Sequence, residues 1–194
     1  MHVHLPNILT FLRLILAPAL IIYLIVDKTD SAKFLGMFVF IVIIATDFFD
    51  GYLARKFNNV SNFGKVFDPI ADKMIIILLL CFFLGIYLNS ADDLLICIIL
   101  ILIISREILV SGLREFLGPK GKELRVTMLA KWKTFNQSAM IIILFLDQVY
   151  NFSDDLVKNV IYLFCVLSFF ITWYTGIGYI KNALYLVQND KSKN

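Results

Sequence analysis

Four aspartates, Asp47, Asp50, Asp68 and Asp72, stand in the stretch TDFFDGYLARKFNNVSNFGKVFDPIADK, between the apolar runs FLGMFVFIVIIA and MIIILLLCFFLGIYL. Asp47 and Asp50 are three apart, and Asp68 and Asp72 four apart, so on helices each pair shares a face. The connection KFNNVSNFG is short, and antiparallel packing of the two helices brings the pairs together. Four carboxylates in a low-dielectric cleft repel one another and do not all stay ionised without compensation. Hard divalent cations with oxygen ligands supply it, as where helix bundles build two-metal sites. No histidine lies nearby, which disfavours zinc, iron or copper and favours Mg²⁺ or Mn²⁺. A metal pair of this kind holds phosphate oxygens and both partners of a displacement at phosphorus.

The neighbouring residues point the same way. Gly51 falls in the middle of an expected helix, where glycine costs about 1 kcal/mol against alanine; close approach of a ligand to the backbone would explain it. Ala54, one turn on, is also small. Arg55 offers a guanidinium suited to phosphate oxygens. Gly64 either admits close approach or forms a turn. Pro69 either opens the third helix with Asp68 as its cap or lies inside a helix that began earlier. Any two of the aspartates would read as interfacial charges at helix ends. Four in helical pairs, beside glycine and arginine, read as a site, as ionisable groups at membrane depth do.

The elements that must carry these residues are membrane helices. The 194 residues are 60% hydrophobic and 17% charged, with a mean hydropathy of +0.83; a soluble domain is nearer half apolar and about a quarter charged. Apolar runs of spanning length recur, and six are read: 8–26, 34–54, 66–88, 94–113, 131–149 and 157–186. The fifth is the weakest, because Lys131, Lys133, Asn136 and Gln137 interrupt its start, and the sixth exceeds what a span needs. The fold class is therefore an all-α integral membrane bundle of about six transmembrane helices, one domain over 1–194. Ala17-Pro18-Ala19 is not a signal cleavage site, since the apolar run continues past it; Pro18 is expected to kink the first helix. Cys81, Cys97 and Cys165 are isolated packing residues. His2 and His4 belong to a terminus.

Basic residues set the orientation. With the N-terminus cytoplasmic, only Lys28, Lys33 and Lys158 of the 18 Lys and Arg fall on outer connections. The aspartate stretch and the basic connection REFLGPKGKELRVTMLAKWK then face the cytoplasm of a multi-pass protein of the cell membrane. A basic inner face suits membrane lipids with anionic headgroups or a phosphorylated substrate. Nucleic acid is a poor partner, since no soluble module carries the basic residues.

Together the central residues spell D-x2-D-G-x2-A-R-x8-G-x3-D-x3-D: Asp47, Asp50, Gly51, Ala54, Arg55, Gly64, Asp68 and Asp72. This resembles the signature of the CDP-alcohol phosphotransferase family at every fixed position, and the six-span layout extends the likeness over nearly the whole chain. The resemblance implies two divalent metals on the pyrophosphate of a CDP-linked donor, attack by an alcohol on the lipid-side phosphorus, and release of CMP. It implies Asp47, Asp50 and Asp68 as metal ligands and Asp72 as general base and further metal contact. Gly51, Ala54, Arg55 and Gly64 become the donor cradle. It also implies a homodimer.

Three further stretches resemble one branch of that family, the phosphatidylglycerophosphate synthases. LPNILTFLR (5–13) is similar to its N-terminal signature, with Asn7, Thr10 and Arg13 as polar positions; Asn7 and Thr10 join the donor site. REILVSGLREFL (106–117) and AKWKTFNQ (130–137) resemble two more segments, with Ala130 where the pattern has glycine. This branch implies CDP-diacylglycerol as donor, glycerol 3-phosphate as acceptor and phosphatidylglycerol phosphate as product. Arg106, Arg114, Lys131 and Lys133 would then hold the acceptor's phosphate, although Glu107 beside Arg106 offers an internal partner. The competing readings are the same chemistry on another acceptor (phosphatidylglycerol, serine or inositol phosphate) and a divalent-cation carrier. A carrier should carry polar residues at mid-membrane depth on several helices and leaves Gly51 and Arg55 unexplained.

Overall fold

The computed structural model describes the backbone of residues 4–57, 62–89, 93–118 and 128–191, and side chains within 8–46, at 67, and within 69–89, 93–118 and 132–186. Six helices follow in chain order: α1 (His4–Val26), α2 (Asp30–Phe57), α3 (Asn62–Tyr87), α4 (Leu94–Leu117), α5 (Met128–Tyr150) and α6 (Asp155–Lys191). No strand occurs among the described residues. One helix answers each expected span. Four segments, Ile8–Val26, Pro69–Tyr87, Leu94–Leu117 and Asp155–Leu186, are long and apolar enough to cross a membrane among the described residues. Large apolar side chains such as Phe11, Ile22, Phe38, Leu163 and Phe170 stay exposed. So much outward apolar surface suits lipid, not water.

The helix ends are set by short polar side chains. The Thr29 hydroxyl accepts the Ala32 N–H at 3.2 Å and starts α2, while the Thr29 N–H donates to Asp27 Oδ1 at 3.0 Å. That amide, with the Thr29 hydroxyl, holds the Asp27 carboxyl below its ordinary value. Asp154 accepts the Leu156 N–H at 2.9 Å and starts α6. Asn151, at φ 47°, ends α5 and donates its N–H to the Asp147 carbonyl at 2.8 Å. Pro18 lies inside α1 and Pro69 inside α3, and both helices continue through them. Of the two readings of Pro69, the helix that began earlier is the one observed. Gly64 is likewise helical, not a turn.

The chain divides into two compact units. The first comprises Met1–Phe83 and Ile141–Phe152. Here α1 packs on α2. The buried residues of α1, Thr10, Arg13, Ala17, Leu20 and Leu24, repeat at spacings of three and four, which makes one continuous stripe on a helix. On α2 the stripe is Ala32, Gly36, Phe40 and Ile43. Gly36 allows the close approach: a Cβ there would lie 2.8 Å from Leu24 Cδ2. Phe40, Phe83 and Phe145, all fully buried, tie α2, α3 and α5 together, with ring centroids 4.9 Å apart for Phe83 and Phe145 and 6.4 Å for Phe40 and Phe145. Lys33 Nζ donates to the Gln148 carbonyl at 2.9 Å, a cation at the negative end of α5.

The second unit comprises Leu84–Met140 and Ser153–Asn194. Its spine is α4 against α6. The contacts advance together along both chains, so the two helices run parallel. The Tyr162 hydroxyl donates to Asp93 at 3.1 Å, Trp173 Nε1 to the Leu102 carbonyl at 3.2 Å, and Arg106 to the Thr175 hydroxyl at 2.9 Å. Asn136 Nδ2 donates to Ser168 Oγ at 2.6 Å and adds α5. Cys97 and Cys165 are buried, as packing residues would be, whereas Cys81 is exposed.

Gly176 is the narrow point of this spine. A Cβ there would meet Arg106 Nε at 2.8 Å and Cγ at 3.1 Å, and Arg106 is held at its far end by Glu107 and Thr175. Gly178 has nothing within 4 Å of such an atom. Overpacking costs about 1–3 kcal/mol, whereas alanine gains about 1 kcal/mol over glycine in an open helix position. Gly176→Ala should therefore lower the melting temperature in detergent, while Gly178→Ala should leave it unchanged or raise it.

Candidate functional site

The aspartates lie on two helices of the first unit. Asp47 and Asp50 stand on α2 with Gly51, Ala54 and Arg55, and Asp68 and Asp72 stand on α3 with Gly64. Helical register carries positions 47, 50 and 54 along the line begun by 36, 40 and 43. Position 68 falls one turn before 72, on the line that continues through the buried Ile75, Leu79 and Phe83. The buried stripes thus lead into the acidic positions on both helices. The side chains of Asn7, Asp47, Asp50, Ala54, Arg55 and Asp68 lie outside the described residues, as does any gathering of three carboxylates. Among the described residues no group of three or more His, Cys, Asp or Glu is found.

Asp72 is described, and it has a partner that the sequence did not assign to it. Arg13 of α1 reaches across 59 residues of chain, and its Nη1 donates to Asp72 Oδ1 at 3.5 Å. The arginine side chain is 6% exposed and the carboxylate 42%. One end of this pair is sealed in the bundle and the other is open. Thr10, one turn before Arg13 on α1, is buried beside it on the same stripe. The sequence could nominate Arg13, since an arginine inside an apolar helix is functional by default, but not its partner.

The cations gather in the second unit. Arg106 and Glu107 of α4 are both buried, and Arg106 Nη1 donates to Glu107 Oε1 at 3.0 Å. Lys133 of α5 donates to the same oxygen at 2.6 Å. Arg106 Nη2 donates to the Thr175 hydroxyl of α6. Both terminal nitrogens of Arg106 are thus engaged, and Gly176 walls its stem. The internal partner expected for Arg106 is the one observed, and the same carboxylate also takes Lys133. Arg114, two turns along α4, lies over the Tyr179 ring at 4.6 Å from its centroid, a favourable placement for a guanidinium. Its Nε is buried with no hydrogen-bond partner among the described residues, as are Gln137 Nε2, Thr172 Oγ1 and the Tyr179 hydroxyl. Gln137, Thr172 and Tyr179 are polar residues that sequence reading did not assign to the site. The Lys131 side chain lies outside the described residues.

Long apolar helices with exposed apolar side chains, and charged residues held on buried stripes, define a polytopic membrane protein. The chain belongs to the CDP-alcohol phosphatidyltransferase family, whose family model matches residues 3–180. It is similar to three curated proteins named CDP-diacylglycerol–glycerol-3-phosphate 3-phosphatidyltransferase. The one from Rickettsia felis is 39% identical over 184 residues, 92% of this chain and 94% of that protein. The one from Wigglesworthia glossinidia brevipalpis is 32% identical over the full length of both. The one from Cereibacter sphaeroides is 46% identical over 146 residues, 75% of this chain and 65% of that protein.

The Arg13–Asp72 pair makes a direct prediction for such a transferase. A long ion pair to a part-exposed carboxylate contributes about 1 kcal/mol or less. With Asp72 as the base proposed below, Arg13→Met should therefore slow turnover by up to about fivefold, by releasing the Asp72 carboxylate. Arg13→Lys, which keeps the charge, should recover part of that loss in an assay of CMP release.

Proposed function

We propose that this chain transfers the phosphatidyl group of CDP-diacylglycerol to sn-glycerol 3-phosphate, giving phosphatidylglycerol phosphate and CMP, with residues 1–194 acting as one domain. The observation that carries the acceptor is the basic cluster of α4 and α5. A phosphorylated alcohol needs cations, whereas serine, with no phosphate, does not. The relatives that share this chain's length carry the same activity in their names, which supports the reading.

The donor set fits a divalent metal pair. Asp47, Asp50, Asp68 and Asp72 are hard oxygen ligands on two helices, at spacings that share a face, and no histidine stands near them in the chain. Bound Mg²⁺ or Mn²⁺ would neutralise pyrophosphate charge and the leaving CMP. In this proposal Gly51, Ala54 and Gly64 let the donor approach the helix backbone, Arg55 holds its phosphate oxygens, and Asn7 and Thr10 complete its site. Arg13 orients Asp72, whose carboxylate accepts the proton of the acceptor hydroxyl. That oxygen forms the new bond to the phosphorus bearing diacylglycerol, the bond from this phosphorus to the CMP oxygen breaks, and CMP leaves. Arg114, Lys131 and Lys133 hold the acceptor's phosphate, with Arg106 adding charge from behind. A cytoplasmic N-terminus, a cytoplasmic active site in the cell membrane and a homodimer belong to the same proposal; single-cysteine labelling from either side and the mass of the solubilised complex test them.

The deciding experiment is an acceptor panel with purified enzyme, CDP-diacylglycerol and Mg²⁺, following CMP and the lipid product. Glycerol 3-phosphate should be used, and phosphatidylglycerol, serine and inositol phosphate should not. Excess EDTA should abolish turnover, and Mg²⁺ or Mn²⁺ should restore it; full turnover in EDTA would refute the metal assignment. Arg114→Ala should raise the acceptor KM about 10- to 150-fold, since charge-assisted contacts contribute roughly 1.5–3 kcal/mol, with the donor KM and kcat little changed. A rise in the donor constant alone would move Arg114 to the donor site.

A further inference from the structure

We propose that Glu107 is a positioning residue for the acceptor subsite, holding Lys133 in place beside Arg106 for the phosphate of the acceptor. The inference rests on the functional reading above and concerns a residue that reading leaves without a role.

Glu107 is 4% exposed, and a single oxygen, Oε1, accepts from Lys133 at 2.6 Å and from Arg106 at 3.0 Å. The two cations come from different helices. Arg106 is fixed from α6 by the Thr175 hydroxyl and by the close face of Gly176. Glu107 Oε1 therefore sits against a braced group, and Lys133 is located by that oxygen. An ammonium carries three donors, and the Glu107 bond takes one. Lys133 is thus held by one hydrogen while it keeps donor capacity.

Arg114 is near enough to act electrostatically on both Arg106 and Lys133. Without the Glu107 carboxylate Lys133 would lose its anchor, and these cations would repel one another.

The test uses the full-length enzyme in detergent, with donor and acceptor titrated separately. Glu107→Gln should raise the KM for glycerol 3-phosphate roughly tenfold or more, with the CDP-diacylglycerol KM within about twofold of wild type. If Glu107 acts through Lys133, adding Glu107→Gln to Lys133→Met should change the acceptor KM less than about twofold further. Glu107→Asp, which keeps the charge and draws the oxygen back, should lie between wild type and Glu107→Gln, and it gives the same reading if the glutamine variant does not assemble. An unchanged acceptor KM, a rise in both KM values together, or effects that multiply in the double variant would each overturn the proposal and leave a merely structural ion pair. If the wild-type enzyme ignores glycerol 3-phosphate and uses an uncharged alcohol, the functional reading itself falls and this inference with it.

Discussion

A charged side chain on a membrane helix has to find its counterion inside the protein. Lipid offers neither water nor ions, and an unpaired buried charge costs several kcal/mol even after relaxation. That constraint runs through both units of this chain. In the first, Arg13 is sealed in the bundle and meets Asp72. In the second, Arg106 and Lys133 converge on Glu107. The helix packing follows from these pairings. Arg106 can reach Glu107 and Thr175 together because position 176 is glycine and the α6 backbone comes close. Polar contacts between membrane helices favour small residues at the crossing for the same reason.

The stripes explain how an apolar bundle delivers charge to chosen places. On α1 the buried positions repeat in steps of three and four, and the inner line changes from Leu24, Leu20 and Ala17 to Arg13 and Thr10. The helix does not change face; it changes chemistry along one face. On α3 the same happens in reverse chain direction, from Phe83, Leu79 and Ile75 toward Asp72. A site built this way inherits its precision from the apolar contacts of the same stripe, such as Gly36 on Leu24 and the Phe40–Phe145–Phe83 cluster.

The helices and their limits were legible because apolar length and helical spacing are local properties. So was the acidic motif, because its eight fixed residues lie within 28 positions. Pro69 was not settled by the sequence, since a proline is compatible with a first turn or with a continuing helix; α3 began earlier, at Asn62. The Arg13–Asp72 pair was illegible for a different reason. It joins residues 59 apart, and no spacing rule relates α1 to α3. The same holds for Lys133 with Glu107, and for Arg114 over Tyr179. Individual charges could be nominated from their types, but their partners depend on which helices meet. Arg106 shows the consequence: nominated for a phosphate, it is already engaged at both terminal nitrogens.

The two regions offer an anion different groups, and that decides how each can meet one. A pyrophosphate brought to a set of aspartates is repelled unless divalent cations stand between them, so under the proposed reading the donor end must depend on metal. A phosphate monoester brought to Arg114 and Lys133 meets positive charge directly, so acceptor binding should need no metal of its own. The buried carboxylate of Glu107 then has a consistent place. It lowers the cost of keeping Arg106, Lys133 and Arg114 together before the substrate arrives. A cluster without the carboxylate would attract the dianion strongly and hold no geometry, so under the proposed reading affinity comes from the cations and their placement from Glu107.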